Sequence, residues 1–197
     1  MLKYEYSALK MLNWYLVILL VIGIVVGIGG LDDFLAKVST CVRRQRSQSC
    51  QKVAELLSFT PAIAGVLFLL PFIVLLIQQD YYTAAALTLS CSLSLGLAFL
   101  GKYIFRRMRP FGHTTYLGKV DSAFPSAHAA GSFAAAISIA IFWPPWTPVV
   151  LTLAALVAYS RIYLELHYFS DVMGGILLAY LMTNFVLDSN LLVFLGF

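Results

Sequence analysis

Long uncharged runs, separated by short stretches that carry nearly all the ionisable residues, set the organisation of this chain. A bilayer core about 30 Å thick is crossed by a helix of roughly 20 apolar residues, and that length is the yardstick for each run. Residues 11–31, 56–79 and 81–101 contain no Asp, Glu, Lys or Arg, and each predicts one span. Residues 122–160 are equally free of them, but Trp143-Pro144-Pro145-Trp146 sets two helix breakers between two interfacial aromatics. The run therefore predicts a fourth span over 126–142, a tight turn, and a fifth over 147–163. A sixth covers 171–190, interrupted near its end by Asp188. None of these runs shows the period-two alternation of a membrane β-strand, and lipid tolerates no open sheet edge. The expected fold is all-α: an integral membrane bundle of six transmembrane helices in a single domain over 1–197, with the candidate chemistry in the connections 102–125 and 161–171.

Composition agrees with that pattern. The 197 residues are 61% hydrophobic and 11% charged, against about 45–50% and about 25% in soluble proteins. An ordinary soluble globule is excluded, and so is a disordered chain, which needs low hydrophobicity and high net charge. The formal charge of +4 comes from basic residues in the connections, not from a continuous basic face, so no nucleic-acid partner is expected. Lys3 and Lys10 precede the first run in the manner of a secretory signal, but that run exceeds the about 7–15 apolar residues of a signal core, and no small-residue cleavage site follows. Gly23-x-x-x-Gly27 and the Ala- and Ser-rich face of the fourth span predict close helix packing.

Charge then divides the connections into two sets. With alternating crossings, the segments after spans one, three and five share one side of the membrane. They hold Lys37, Arg43, Arg44, Arg46, Lys52, Lys102, Arg106, Arg107, Arg109, Lys119 and Arg161, leaving only Lys3 and Lys10 for the other side. A polyanionic ligand finds its countercharge on the first side alone. Arg43, Arg44 and Arg46 suit headgroup anchoring and substrate contact equally well. Lys102 and Arg109 are seven residues apart, so on a helix continuing from the third span they point in nearly the same direction. His167 and Asp171 stand at i and i+4, a spacing that places an imidazole and a carboxylate on one helical face. Between these lies Phe124-Pro125-Ser126-Ala127-His128, where Pro and Ser suit a helix start whose free N–H groups favour an oxyanion.

Three cations, a Ser at a helix start, two imidazoles and a carboxylate form an inventory for phosphoryl transfer. Positioned cations and N–H donors answer the charge on a transferring phosphoryl group. A neutral imidazole held by a carboxylate can serve as nucleophile, and a second imidazole can protonate a leaving oxygen. Two His and one Asp could instead ligate zinc, but the surrounding Lys and Arg would repel a divalent cation, so neither metal nor other cofactor is expected.

In order, Lys102-x6-Arg109-Pro110, Pro125-Ser126-Ala127-His128 and Ser160-Arg161-x5-His167-x3-Asp171 resemble the three-part signature of the type 2 phosphatidic acid phosphatase superfamily. These membrane lipid phosphatases share an active-site plan with vanadium haloperoxidases and usually have six membrane helices. The resemblance implies that His167 is the nucleophile forming a phosphohistidine, that Asp171 orients and polarises it, and that His128 protonates the leaving oxygen. It implies too that Lys102, Arg109, Arg161 and Ser126, with the backbone N–H groups of Ala127 and His128, hold the phosphate oxygens. Ala127 departs from the family's more frequent Gly and would narrow the pocket by a methyl. Arg106, Arg107, His113 and Lys119 fall outside the motifs.

Two rules oppose each other on orientation. The basic side would face the cytoplasm by the positive-inside rule. Cys41 and Cys50, with eight residues of the first basic stretch between them, instead suggest a disulfide and an oxidising compartment, and bacterial members of the resembled family face outward. The expectation is a multi-pass protein of the bacterial cytoplasmic membrane with its site facing the periplasm or outside. Its partners are the bilayer and a lipid carrying a phosphate or pyrophosphate, with no obligate protein partner. Undecaprenyl pyrophosphate, phosphatidylglycerophosphate, phosphatidate and lipid A phosphates all fit. Transfer of the phosphoryl group to another lipid is the alternative within enzymes, and transport the alternative outside them.

Overall fold

The structure is a computed structural model. It describes residues 17–18, 20–25, 27–43, 48–110, 122–189 and 191–196, and every regular element among them is helical. The chain becomes helical over 20–25 and leaves that direction through a π-turn, Gly27–Leu31. Gly30 has φ 127° there, a backbone conformation that a side chain would strain. The turn aims the chain into α1, Asp32–Arg43, with Asp32 and Asp33 in its first turn. There follow α2, Gln48–Ser58, then α3, Thr60–Ala64, a second π-turn over Gly65–Leu69, and α4, Leu70–Ile77. Pro71 has no N–H to give, and the wider turn just ahead of it, where the Leu70 N–H reaches back to the Gly65 carbonyl, absorbs the mismatch.

From here the helices are longer and better bounded. Helix α5, Tyr81–Phe105, is capped by Asp80, whose carboxylate accepts from the Thr83 N–H at 3.1 Å, and ends at Arg106 in the left-handed region. Helix α6, Ala127–Phe142, starts at Ser126, and the Trp-Pro-Pro-Trp segment forms the expected tight turn, a 3₁₀ helix over Pro144–Trp146. Helices α7, Thr147–Tyr163, α8, Phe169–Asp188, and the single turn α9, Leu191–Phe194, complete the chain.

Helix α6 is the axis of the bundle and touches α5, α7 and α8. The side chains at these contacts are small: Ala129, Ala130, Ala134, Ala135, Ala136, Ser132 and Ser138 on α6 are all buried. In lipid, helices gain little by hiding apolar surface from one another, and small residues let backbones approach until dispersion and polar contacts hold them. A Cβ at Gly175 of α8 would lie 2.4 Å from the Ser126 carbonyl oxygen, so only glycine admits this crossing of α6 and α8. Gly23 also faces α8, since a Cβ there would stand 3.1 Å from Met173 Cε. The outer surface carries exposed Leu69, Leu70, Ile73, Ile77, Phe99, Leu100, Ile104, Phe105, Leu156, Tyr159 and Phe185. An apolar surface of that extent belongs against acyl chains.

Among the described residues, Tyr81–Phe105, Pro144–Tyr163 and Phe169–Asp188 are long and apolar enough to cross a bilayer. Gln48–Ser58 with Ala62–Ile77 makes a fourth crossing if taken as one span bent by 60°. The chain is therefore a multi-pass membrane protein, but the expected six spans reduce here to three or four. Ala127–Phe142 is apolar yet only 16 residues long, because polar chemistry begins at its first turn. The first expected span, 11–31, falls partly on residues outside the described set. The run 56–79 is not one straight helix, because Pro61 and Pro71 impose breaks that uncharged composition conceals.

Candidate active site

Four helix ends meet on one side of the bundle. Lys102 lies in the last turn of α5 and Arg161 in the last turn of α7, where carbonyl ends favour a cation. Ser126 and His128 bracket the start of α6, and His167 and Asp171 bracket the start of α8. Lys102, Arg109, Arg161, Ser126, His167 and Asp171 are all buried, while Ala127 and His128 are half-buried. The structure thus gathers every residue of the three motifs around one spot.

The local geometry differs from two readings of the spacing. Helix α5 stops at Phe105, so Lys102 and Arg109 do not share a helical face; the chain turns at Arg106, with φ 46°, and continues outside any helix to Arg109. Lys102 Nζ donates to the Ser122 carbonyl, and Arg109 Nη1 donates to the Leu166 carbonyl at 2.9 Å, so backbone acceptors from two other segments aim the two cations. Nor do His167 and Asp171 share a face of α8. His167 precedes the helix, and Asp171 turns back on the helix start to accept the Tyr168 N–H at 2.7 Å.

His167 Nδ1 consequently lies 3.7 Å from Asp171 Oδ2, beyond hydrogen-bond range, and 2.7 Å from the Ala123 carbonyl oxygen. A carbonyl can only accept, so Nδ1 carries the proton and Nε2 presents its lone pair. Burial, and then the charges of Arg161, Arg109 and Lys102, hold His167 well below the ordinary imidazole value of 6.5. Both causes favour the uncharged ring, with the lone pair on Nε2. Across the site, the His128 ring is hydrogen-bonded to the backbone of Ser58 and lies within the electrostatic reach of Arg161, His167 and Lys102. Ser58 Oγ also lies 2.9 Å from Ser160 Oγ, so the end of α2 closes over the start of α6 and the end of α7. The Ser126 hydroxyl accepts the Ala129 N–H at 3.5 Å, and its N–H donates to the Asp171 carbonyl at 2.9 Å, which ties the α6 start to α8.

Arg107, which the motif spacing leaves aside, contributes to the site. Its Nη1 donates to Asp171 Oδ1 at 2.8 Å and its Nη2 to Asp32 Oδ2 at 2.7 Å, while its guanidinium lies 4.5 Å above the Tyr168 ring. Arg107 Nη1 also donates to Ser170 Oγ, and the Ser170 N–H and hydroxyl both donate to Asp32. Two of these partners, Arg107 and Ser170, neighbour motif residues in sequence, which is the one available hint; Asp32 lies 139 positions from Asp171 and has no such signal. The expected Cys41–Cys50 bridge and His113 lie outside the described residues, the Cys41 side chain included.

Comparison with known proteins bears on the same part of the chain. The family model described as PAP2 superfamily matches residues 80–191. An undecaprenyl-diphosphatase from Sulfolobus acidocaldarius is 30% identical over 112 residues, covering 54% of this chain and 54% of that protein. The Escherichia coli undecaprenyl-diphosphatase candidate YbjG is 29% identical over 128 residues, 62% of each chain. The chain thus spans between half and two thirds of the length of these curated relatives. The crystal structure of a transmembrane PAP2-type phosphatidylglycerolphosphate phosphatase from Bacillus subtilis superposes with a TM-score of 0.64 at 20% identity, over 89% of this chain and 94% of that one, a likeness of fold.

Proposed function

The chain belongs to the PAP2 superfamily, and from that premise we propose that it is a membrane lipid phosphatase working through a phosphohistidine on His167. The observation that carries this reading is the buried His167, its Nδ1 bonded to the Ala123 carbonyl, set among Lys102, Arg109 and Arg161, whose charges favour the neutral ring. Its Nε2 lone pair attacks phosphorus as the bond from phosphorus to the lipid-side oxygen breaks, and His128 gives that oxygen a proton. Water then attacks phosphorus as His128 takes a proton back from it, the P–N bond breaks with its electron pair returning to Nε2, and inorganic phosphate leaves with both imidazoles restored. Lys102, Arg109, Arg161 and the N–H groups at the start of α6, Ala127 and His128 among them, meet the charge that gathers on the non-bridging oxygens. Asp171 faces the imidazole edge and favours the positive charge the ring acquires when phosphorylated.

A phosphate or pyrophosphate at headgroup level is the substrate class, because the site lies at helix ends. The names of the two curated relatives favour a polyprenyl pyrophosphate, ahead of phosphatidylglycerophosphate, phosphatidate and lipid A phosphates. The site faces the exterior of the cytoplasmic membrane in this reading, and a Cys41–Cys50 disulfide in its first connection is expected with it. The test is a phosphate-release panel over the four lipid classes with purified protein, in the presence of EDTA. Release from at least one lipid, abolished in His167→Ala, is the expected result. Release that needs added zinc or magnesium, or that survives His167→Ala, would refute the reading.

A further inference from the structure

Asp171 has two carboxylate oxygens, and the arrangement around them is asymmetric. Oδ2 accepts the Tyr168 N–H and faces the imidazole, whereas Oδ1 is held by Arg107. Arg107 in turn is held by Asp32, the first residue of α1, which is buried and lies outside the residues matched by the family model. Arg107 reaches the nucleophile by a second route, because its backbone carbonyl accepts the Ala123 N–H at 2.8 Å, and the Ala123 carbonyl is what fixes the His167 tautomer. One arginine therefore supports both groups that touch or face the His167 edge.

We propose that Asp32 and Arg107 are positioning residues for the reaction at His167, with the segment ahead of the three motifs supplying a second carboxylate to the arginine that holds Asp171. The inference rests on the proposed role of His167 as nucleophile. Charge supports it as well as geometry. An arginine alone beside Asp171 would cancel the negative charge that favours a phosphorylated, positive imidazole. Asp32 restores it: Asp32, Arg107 and Asp171 together carry one net negative charge, the same as a lone aspartate, yet with one guanidinium nitrogen on each carboxylate, so that the two acids are held by the same arginine. Asp32 also binds the Ser170 N–H at 3.0 Å, one of the free donors at the start of α8, and so fixes the helix end that presents His167 and Asp171. Neither Asp32 nor Arg107 need touch substrate for this role, so the effect belongs in turnover and not in binding.

The experiment uses the purified full chain in detergent with a short-chain polyprenyl pyrophosphate, and measures kcat, KM and the thermal unfolding midpoint. The variants are Asp32→Asn, Arg107→Lys, the double variant and His167→Ala. Asp32→Asn is expected to lower kcat on the order of 10–100-fold, the scale on which hydrogen-bonded outer partners of an active imidazole act, with KM essentially unchanged. Since the charged contact of Asp32 runs through Arg107 and its Ser170 N–H bond can still be accepted by an asparagine oxygen, adding Asp32→Asn to Arg107→Lys should cost less than about threefold more, a sign of coupled residues. Ser170→Ala, which loosens Asp32 without removing a charge, should lower kcat in the same sense by less, and it serves if Asp32→Asn does not fold. Wild-type kcat in Asp32→Asn, or in Ser170→Ala should it replace it, a loss confined to KM, or fully multiplicative losses in the double variant would overturn the proposal. Should any of these occur while His167→Ala is inactive, positioning alone is refuted; should His167→Ala remain active, the nucleophile reading falls first.

Discussion

Residues 81–188 and residues 17–77 are built by different means. In the first region each helix is long, bounded by a cap or a breaker, and packed through Ala, Ser and Gly, as where α8 crosses α6 at Gly175 with no room for a methyl. In the second, the helices are shorter and are interrupted twice by π-turns, over Gly27–Leu31 and Gly65–Leu69. The dense region holds the whole three-motif site; the interrupted one reaches it at Asp32 and Ser58. The difference teaches that a closely packed bundle positions the motif residues, while the interrupted segment adds single side chains, Asp32 and Ser58, that the bundle does not provide.

The largest way to break this comparison is at the centre of the dense region. His167→Ala is expected to reduce kcat by roughly a thousandfold or more, as loss of a nucleophile does in other hydrolases, with helix content by circular dichroism unchanged. Equal loss of helix would mean that the site and the fold are not separable. Next in size, Gly175→Ala forces a methyl against the Ser126 carbonyl and should cost about 1–3 kcal/mol of stability, read as a lower unfolding midpoint in detergent together with lower activity.

A smaller effect sharpens the electrostatic side. Because His167 lies well below its ordinary value, lowering the pH through 6.5 should not protonate it, and the acid limb of kcat/KM assigned to this group should appear only at lower pH. Arg109→Gln removes one of the three cations that repel a proton from the ring, so it should move that limb upward in pH. A limb that stays put or moves down would contradict the assignment. The smallest effect is expected where the packing is open: Gly65→Ala should change stability by less than about 1 kcal/mol in either direction. A penalty equal to that of Gly175→Ala would erase the contrast between the two regions.

The same contrast explains what was legible in the sequence. The runs 81–101, 126–142, 147–163 and 171–190 correspond to α5 to α8 within a few residues, because Asp80, Ser126 and Trp143-Pro144-Pro145-Trp146 mark their limits with side-chain chemistry. The motif residues could be read from identity and order, and the structure brings them together. Spacing alone misplaced two pairs. Helix α5 ends before Arg109, and α8 begins after His167 because the Asp171 carboxylate turns back to the Tyr168 N–H instead of projecting along a helical face. The Ala123 carbonyl could not have been found, since every residue has one. Asp32 was hidden for a different reason: a hydrophilic connection of residues 32–59 shows amphipathic helices only when folded against its neighbours, and the Asp32 contact with Arg107 joins residues 75 apart.

The central claim is that phosphorus visits the protein on its way to water. The steric course of hydrolysis tests this most directly, with a lipid pyrophosphate whose terminal thiophosphoryl group carries two different oxygen isotopes and is hydrolysed in water of the third. Two successive in-line displacements, onto His167 Nε2 and then onto water, predict retention of configuration in the released thiophosphate; inversion would show that water attacks the substrate in a single step and would contradict the account.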